Sequence, residues 1–129
     1  MPRAERRSSL TLGLAAATVL LGLSCHSQAN RVLVTASDNG RTVTAQVGDK
    51  IDVALEAIGP FYFGTPAVSS MSVRFLSESD ELPAQPNPGG GKTQRYTFEA
   101  AAVGGAVIRI PREVPVPEPP MFVITVQVY

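Results

Sequence analysis

The chain has 129 residues, with 11 basic and 11 acidic side chains, one cysteine, one histidine and no tryptophan. A formally neutral balance argues against nucleic acid as a partner. The cysteine and the histidine are neighbours, Cys25 and His26, so everything after them lacks the thiol and imidazole on which most nucleophilic and general-base chemistry depends.

The N-terminal stretch reads as an export signal. Arg3, Arg6 and Arg7 make a positive start, and Leu10 to Leu23 is an uncharged apolar run. That run is shorter than the roughly 20 apolar residues a membrane-spanning helix needs, and it suits a secretory signal. Two endings are open. Leu21-Gly22-Leu23-Ser24-Cys25 is similar to a bacterial lipobox, which makes Cys25 a candidate lipidation site and anchors the domain without spanning the bilayer. Alternatively, Ser27-Gln28-Ala29 offers the small residues that an ordinary signal peptidase reads. Residues 1–29 are therefore expected to be the export signal and 30–129 one folded domain, outside the cytoplasm. With Arg3, Arg6, Arg7 and Glu5 gone, the domain keeps 8 basic and 10 acidic residues. Its net charge near −2 leaves the lipid as the only membrane contact expected. It holds no cysteine pair, so burial rather than disulfides must stabilise it.

Beyond Asn30 the residues alternate with the period of β-strands. Arg31–Thr35 and Arg41–Val47 flank Ser37-Asp38-Asn39-Gly40, and Asn-Gly predicts a hairpin between them. After a turn at Gly48-Asp49, Ile51, Val53 and Leu55 alternate with Asp52, Ala54 and Glu56. Met71, Val73 and Phe75 alternate likewise, then Tyr96, Phe98 and Ala100, then Ala106, Ile108 and Ile110 after Gly104-Gly105. Phe122 to Val128 closes the chain as a valine-rich strand. About seven short strands with regular turn signals predict an all-β, immunoglobulin-like β-sandwich without the cysteine–tryptophan–cysteine core.

Three loops stand out. Gly59 to Pro66 contains Phe61, Tyr62 and Phe63, followed by Gly64 and Thr65. Three consecutive aromatics cannot share one side of an extended segment, so at least one is expected to point away from the core, as anchor material for a partner. The alternative is that two of them simply cover the open end of the sandwich. Pro86 to Thr93 contains Gly89, Gly90 and Gly91. Its Gly-Lys-Thr ending does not make a phosphate loop, because the first required glycine is replaced by Pro86 and a strand follows where a helix is needed. It reads as a loop between strands or as glycine-exposed backbone for a partner. Pro111 to Pro120 is proline-rich, includes Arg112, and reads as a stiff connection or a low-entropy recognition segment. Glu78, Asp80 and Glu81 read as a solvated loop whose spacing fits no calcium site. No cofactor, metal or catalytic residue is expected.

The order of these features resembles the chagasin-type inhibitors of papain-like cysteine proteases. The features are Val47-Gly48-Asp49, a Gly/Pro/aromatic loop, Gly89-Gly90-Gly91, the strand with Tyr96, Phe98 and Ala100, a glycine turn, and Pro111-Arg112 before the last strand. The resemblance implies an Ig-like sandwich whose three loops at one end block a protease active site, with no catalytic residue of its own. The first family loop, Asn-Pro-Thr-Thr-Gly-Tyr, is kept only as Pro60, the aromatic cluster and Gly64-Thr65, and the family's Arg-Pro-Trp loop lacks its tryptophan here. The expectation is thus a monomeric protein-binding module, with a structural envelope lipoprotein lacking inhibitory activity as the alternative.

Overall fold

The computed structural model describes residues 29–85, 91–114 and 120–129. Among the described residues, eight strands form two four-stranded sheets: β1 (Arg31–Thr35), β2 (Thr42–Ala45), β3 (Lys50–Ala57), β4 (Ala67–Val68), β5 (Val73–Glu81), β6 (Lys92–Ala100), β7 (Gly104–Pro111) and β8 (Met121–Val128). One sheet has the order β1-β3-β6-β5 and the other β2-β8-β7-β4. This is the expected Ig-like sandwich, with one strand more than the sequence reading because β4 is only two residues long.

The alternation in the sequence sets the core. Ile51, Val53 and Leu55 of β3 and Tyr96, Phe98 and Ala100 of β6 face Ala106, Ile108 and Ile110 of β7 and Phe122, Ile124, Val126 and Val128 of β8, all buried. Full burial of each large side chain contributes roughly 1.5–3 kcal/mol. The outer face of the first sheet carries crossed ion pairs instead, Arg31–Asp52, Lys50–Glu99, Arg74–Glu99 and Arg95–Glu81.

The expected hairpin does not form. β1 pairs in parallel with β3, whereas β2 pairs in parallel with β8 in the other sheet. Asn39 has φ −55° and ψ 130°, and only Gly40 has a positive φ, 82°. That combination fits a type II turn closed by the Arg41 N–H donating to the Asp38 carbonyl at 2.9 Å, whereas a two-residue hairpin of type I′ needs both central residues at positive φ. The turn docks on β8: the Asn39 side-chain oxygen accepts the Val123 N–H at 2.8 Å, and the Gly40 N–H donates to the Val123 carbonyl at 2.7 Å. The second strand also ends earlier than expected, at Ala45, with Val47 exposed in the following turn.

Glu78, Asp80 and Glu81 are not in a loop. They belong to β5, an edge strand exposed along its whole length after Val73. Met71 lies before this strand, exposed, and the register shifts between Phe75 and Ser77, which ends the alternation there. Acidic residues and a bulge are common means of discouraging pairing at a free sheet edge.

Candidate functional site

The residues with recognition chemistry gather at one end of the sandwich. The register places Ala57 opposite Lys92, Glu81 opposite Thr93, and Pro111 opposite Met121, so β3, β5 and β7 finish where β6 and β8 begin. The three loops of the sequence reading leave the two sheets at this end.

The first and third loops are stitched into one edge. Phe63 forms a bridge with Arg112, the Gly64 N–H donates to the Pro111 carbonyl at 2.7 Å, and the Glu113 N–H donates to the Tyr62 carbonyl at 2.8 Å. The Arg112 guanidinium also donates to the Phe61 carbonyl at 2.7 Å and lies 4.1 Å from the Phe63 ring centroid. The segment enters through a cis Gly59–Pro60 bond.

The three aromatics divide the work. Phe63 is 5% exposed and belongs to the core. Tyr62 is half-buried, packs against that core, and holds the Lys92 ammonium 4.2 Å from its ring centroid. Phe61 turns outward, 43% exposed. Thr65 is exposed and Gly64 is half-buried.

A residue that the sequence reading passed over fixes this loop to the sheet. Gln94 is 3% exposed, and its side-chain amide both accepts the Phe63 N–H at 2.7 Å and donates to the Phe63 carbonyl at 2.9 Å. It replaces a neighbouring strand's backbone there, satisfying groups that burial would otherwise orphan. Its amide nitrogen lies 3.3 Å from the Tyr96 hydroxyl, which donates to the Gly64 carbonyl at 3.0 Å. Burial first, and the Glu78 carboxylate next, push the Tyr96 phenol well above its ordinary ionisation range. The signal for Gln94 was its parity: it shares the inward face of Tyr96, Phe98 and Ala100, where a polar side chain needs a partner.

Of the second loop, Pro86 to Thr93, the structure describes Gly91, Lys92 and Thr93; Gly89 and Gly90 lie outside the described residues, as does Cys25. Gly91 passes so close to β3 that a Cβ there would stand 2.4 Å from the Ala57 carbonyl oxygen. Beside it opens a recess of about 450 Å³, lined by Ala57, Ile58, Leu82, Pro83 and Gly91 and by Glu56, Glu81, Lys92 and Thr93. Ile58 and Leu82 are exposed on its walls. Lys92 donates to the Asp80 carboxylate at 2.7 Å, and this bond is the main reason its ammonium holds its proton above the ordinary lysine range.

At the other end, Val47-Gly48-Asp49 makes the turn into β3. Gly48 has φ +100°, a backbone conformation that glycine adopts without strain. The buried Asp49 carboxylate accepts the Gln46 N–H at 2.9 Å and the Asn30 N–H at 3.2 Å. These residues build the frame and do not join the loops. Among the described residues no group of three or more His, Cys, Asp or Glu is placed to hold a metal ion.

No family model and no curated protein sequence matches the chain. Among solved structures it is similar to the crystal structure of the cysteine protease inhibitor EhICP2 from Entamoeba histolytica. The TM-score is 0.66 at 11% identity, over 81% of this chain and 100% of that one. It is also similar to the solution structure of amebosin, with TM-score 0.60 at 15% identity, over 79% of this chain and 100% of that one. At these identities the likeness is one of fold.

Proposed function

We propose that this chain is an exported, lipid-anchored, non-catalytic protein-binding module whose loop end obstructs the active-site cleft of a papain-like cysteine protease. The observation that carries the reading is the stitched edge, in which Arg112 and Gln94 fix the backbone around an outward Phe61. A preordered loop loses less conformational entropy on binding than a free one. An outward aromatic on such a loop is the kind of side chain that dominates interface energetics. The likeness of fold to a cysteine protease inhibitor supports the choice of target class. The signal-like residues 1–29, with Cys25 in a lipobox-like setting, support export and anchoring. Binding as a monomer through one end needs no second copy.

The alternative, a structural envelope lipoprotein, leads one to expect loops lying apart and all three aromatics turned inward. The hydrogen bonds between the first and third loops and the exposure of Phe61 favour the binding reading.

The test is titration of papain with purified protein, reading active-site blockade. Phe61→Ala is the proper control, because a variant that also removes Phe63 damages the core. The expected result is inhibition by the parent protein, weakened about 30-fold in Phe61→Ala if the ring acts as an anchor worth about 2 kcal/mol. Binding to papain that leaves its active site open, or no binding at all, overturns the inhibitor assignment.

A further inference from the structure

The end of the sandwich opposite the loops has a different chemistry. Each of its turns carries an apolar side chain outward, Val47 50% exposed, Met71 90% and Val103 70%, and Tyr129 after β8 is 62% exposed. Hydrogen bonds tie these turns into one surface. The Val47 N–H donates to the Tyr129 carbonyl, the Gly48 N–H to the Ala100 carbonyl, and the Ala101 and Ala102 N–H groups to the Ser72 carbonyl. The Ser72 hydroxyl reaches the Val103 carbonyl at 3.4 Å. Segments 46–48, 69–72, 101–105 and 127–129 contain no Asp, Glu, Lys or Arg, and the nearby Asp49 is buried. The charges nearest these turns, Arg31, Lys50, Arg74 and Glu99, are paired on the outer face of the first sheet rather than carried on the tips. The loop end carries Glu56, Glu81, Lys92, Arg112 and Glu113.

The chain enters the fold at this same apolar end. The Asn30 carbonyl accepts the Lys50 N–H at 2.9 Å, and the Asn30 N–H donates to Asp49. The chain from Cys25 to Asn30, fully extended, spans at most about 17 Å. A strand of eight residues such as β3 runs about 26 Å. A lipid on Cys25 therefore keeps the apolar end near the bilayer and rules out the inverted orientation, in which the loops face the membrane and Asn30 stands a strand length above it.

We infer that Val47, Met71, Val103 and Tyr129 form a membrane-resting surface, which seats the domain upright on the bilayer and presents the three loops away from it. The inference rests on the lipid-anchored reading of Cys25. The apolar tips Val47, Met71 and Val103 enter the interfacial region by area burial, and tyrosine suits a position with one apolar and one wet side. The contact is apolar, so it holds at high salt.

The test uses the full chain, produced in a bacterial host and reconstituted in phosphatidylcholine vesicles. An environment-sensitive nitrobenzoxadiazole dye is placed at Met71→Cys, at Val103→Cys, or at Phe61→Cys in separate proteins, Cys25 being blocked by its acyl group. The expected result is a blue shift at positions 71 and 103, with quenching by spin-labelled lipids that persists in high salt, and neither change at 61. A vesicle-bound protein whose Met71 and Val103 labels behave as in water overturns the inference, as does quenching at Phe61 instead. A blue shift without lipid quenching, together with a doubled mass, assigns the surface to a second copy and also overturns it. Recovery of an unacylated protein cut behind Ala29 removes its premise and overturns it too. Papain titration of the same preparations reads the loop end separately, so failure of the inhibitor reading is distinguishable from failure of the membrane surface.

Discussion

Phe61 and Phe63 have the same side chain and opposite duties. Phe63 sits in the core under Arg112, so Phe63→Ala is expected to lower stability by about 3–5 kcal/mol. Phe61→Ala, on an exposed loop, is expected to change it by less than about 0.5 kcal/mol while weakening partner binding. Urea unfolding of the two variants beside papain titration checks the division. The sequence showed that three adjacent aromatics could not all face inward. It could not show which would turn out, because strict alternation puts positions 61 and 63 on one side. The turn closed by the Phe61 N–H on the Ile58 carbonyl, together with the bridge at Phe63, breaks that alternation.

Tyr96 gives a second test at this scale. Its phenol ionises near 10 when unfolded and resists ionisation in the fold, chiefly because it is buried. Its raised folded value therefore contributes stability that is intact below pH 10 and is lost as the pH climbs from there towards the folded value. Lys92, raised through its bond to Asp80, acts in the same direction. Tyr96→Phe is expected to cost about 1–2 kcal/mol at neutral pH, through loss of the bond to the Gly64 carbonyl, and to flatten the alkaline decline. Denaturant midpoints measured from pH 8 to pH 11 decide it. Glu99 acts on the acid side. Held below its ordinary range by Arg74 first and Lys50 next, it contributes stability present above about pH 4.5 and lost as the pH falls through its folded value.

At the scale of elements, faces were legible and neighbours were not. Period-2 alternation identified the buried sides of β3, β6, β7 and β8 because both sheets press on one core. It carries no information about which strand lies alongside. Asn39-Gly40 thus suggested a hairpin, while the turn's hydrogen bonds to Val123 send β2 to the other sheet. The acidic run of β5 looked like a loop for a related reason, since an edge strand exposed on both faces shows no alternation. Glycine positions were more transparent than their reasons. Gly91 belonged to a glycine-rich loop in the sequence, and the structure supplies the cause: no room for a Cβ against the Ala57 carbonyl. Gly91→Ala is expected to force β6 and β3 apart at the loop end and cost about 1–3 kcal/mol. Amide exchange at residues 57 and 92 should rise in that variant, with the far end of the sheet unchanged.

For the whole molecule, the resemblance to chagasin-type inhibitors located the loop end, because its Val-Gly-Asp turn and loop order place segments by topology. It missed Gln94, Ile58 and Leu82, whose roles arise only when strands distant in sequence meet. The two ends, separated by the length of the strands, are expected to act independently. Met71→Asp should reduce the lipid quenching of a label at position 103 and leave papain titration unchanged, whereas Phe61→Ala should do the reverse. The double variant should show the two losses side by side, and coupling between them would mean that the ends communicate through the core.

β1 lies parallel to β3 and enters from the end opposite the loops. A pull applied at Asn30 and resisted at the loops therefore runs along the strands. The ladder from Arg31↔Lys50 to Thr35↔Ala54 then bears the load in shear, with its hydrogen bonds strained together rather than peeled apart one by one. A domain tethered at one end and gripped at the other is, by this geometry, mechanically strong along the line of tension.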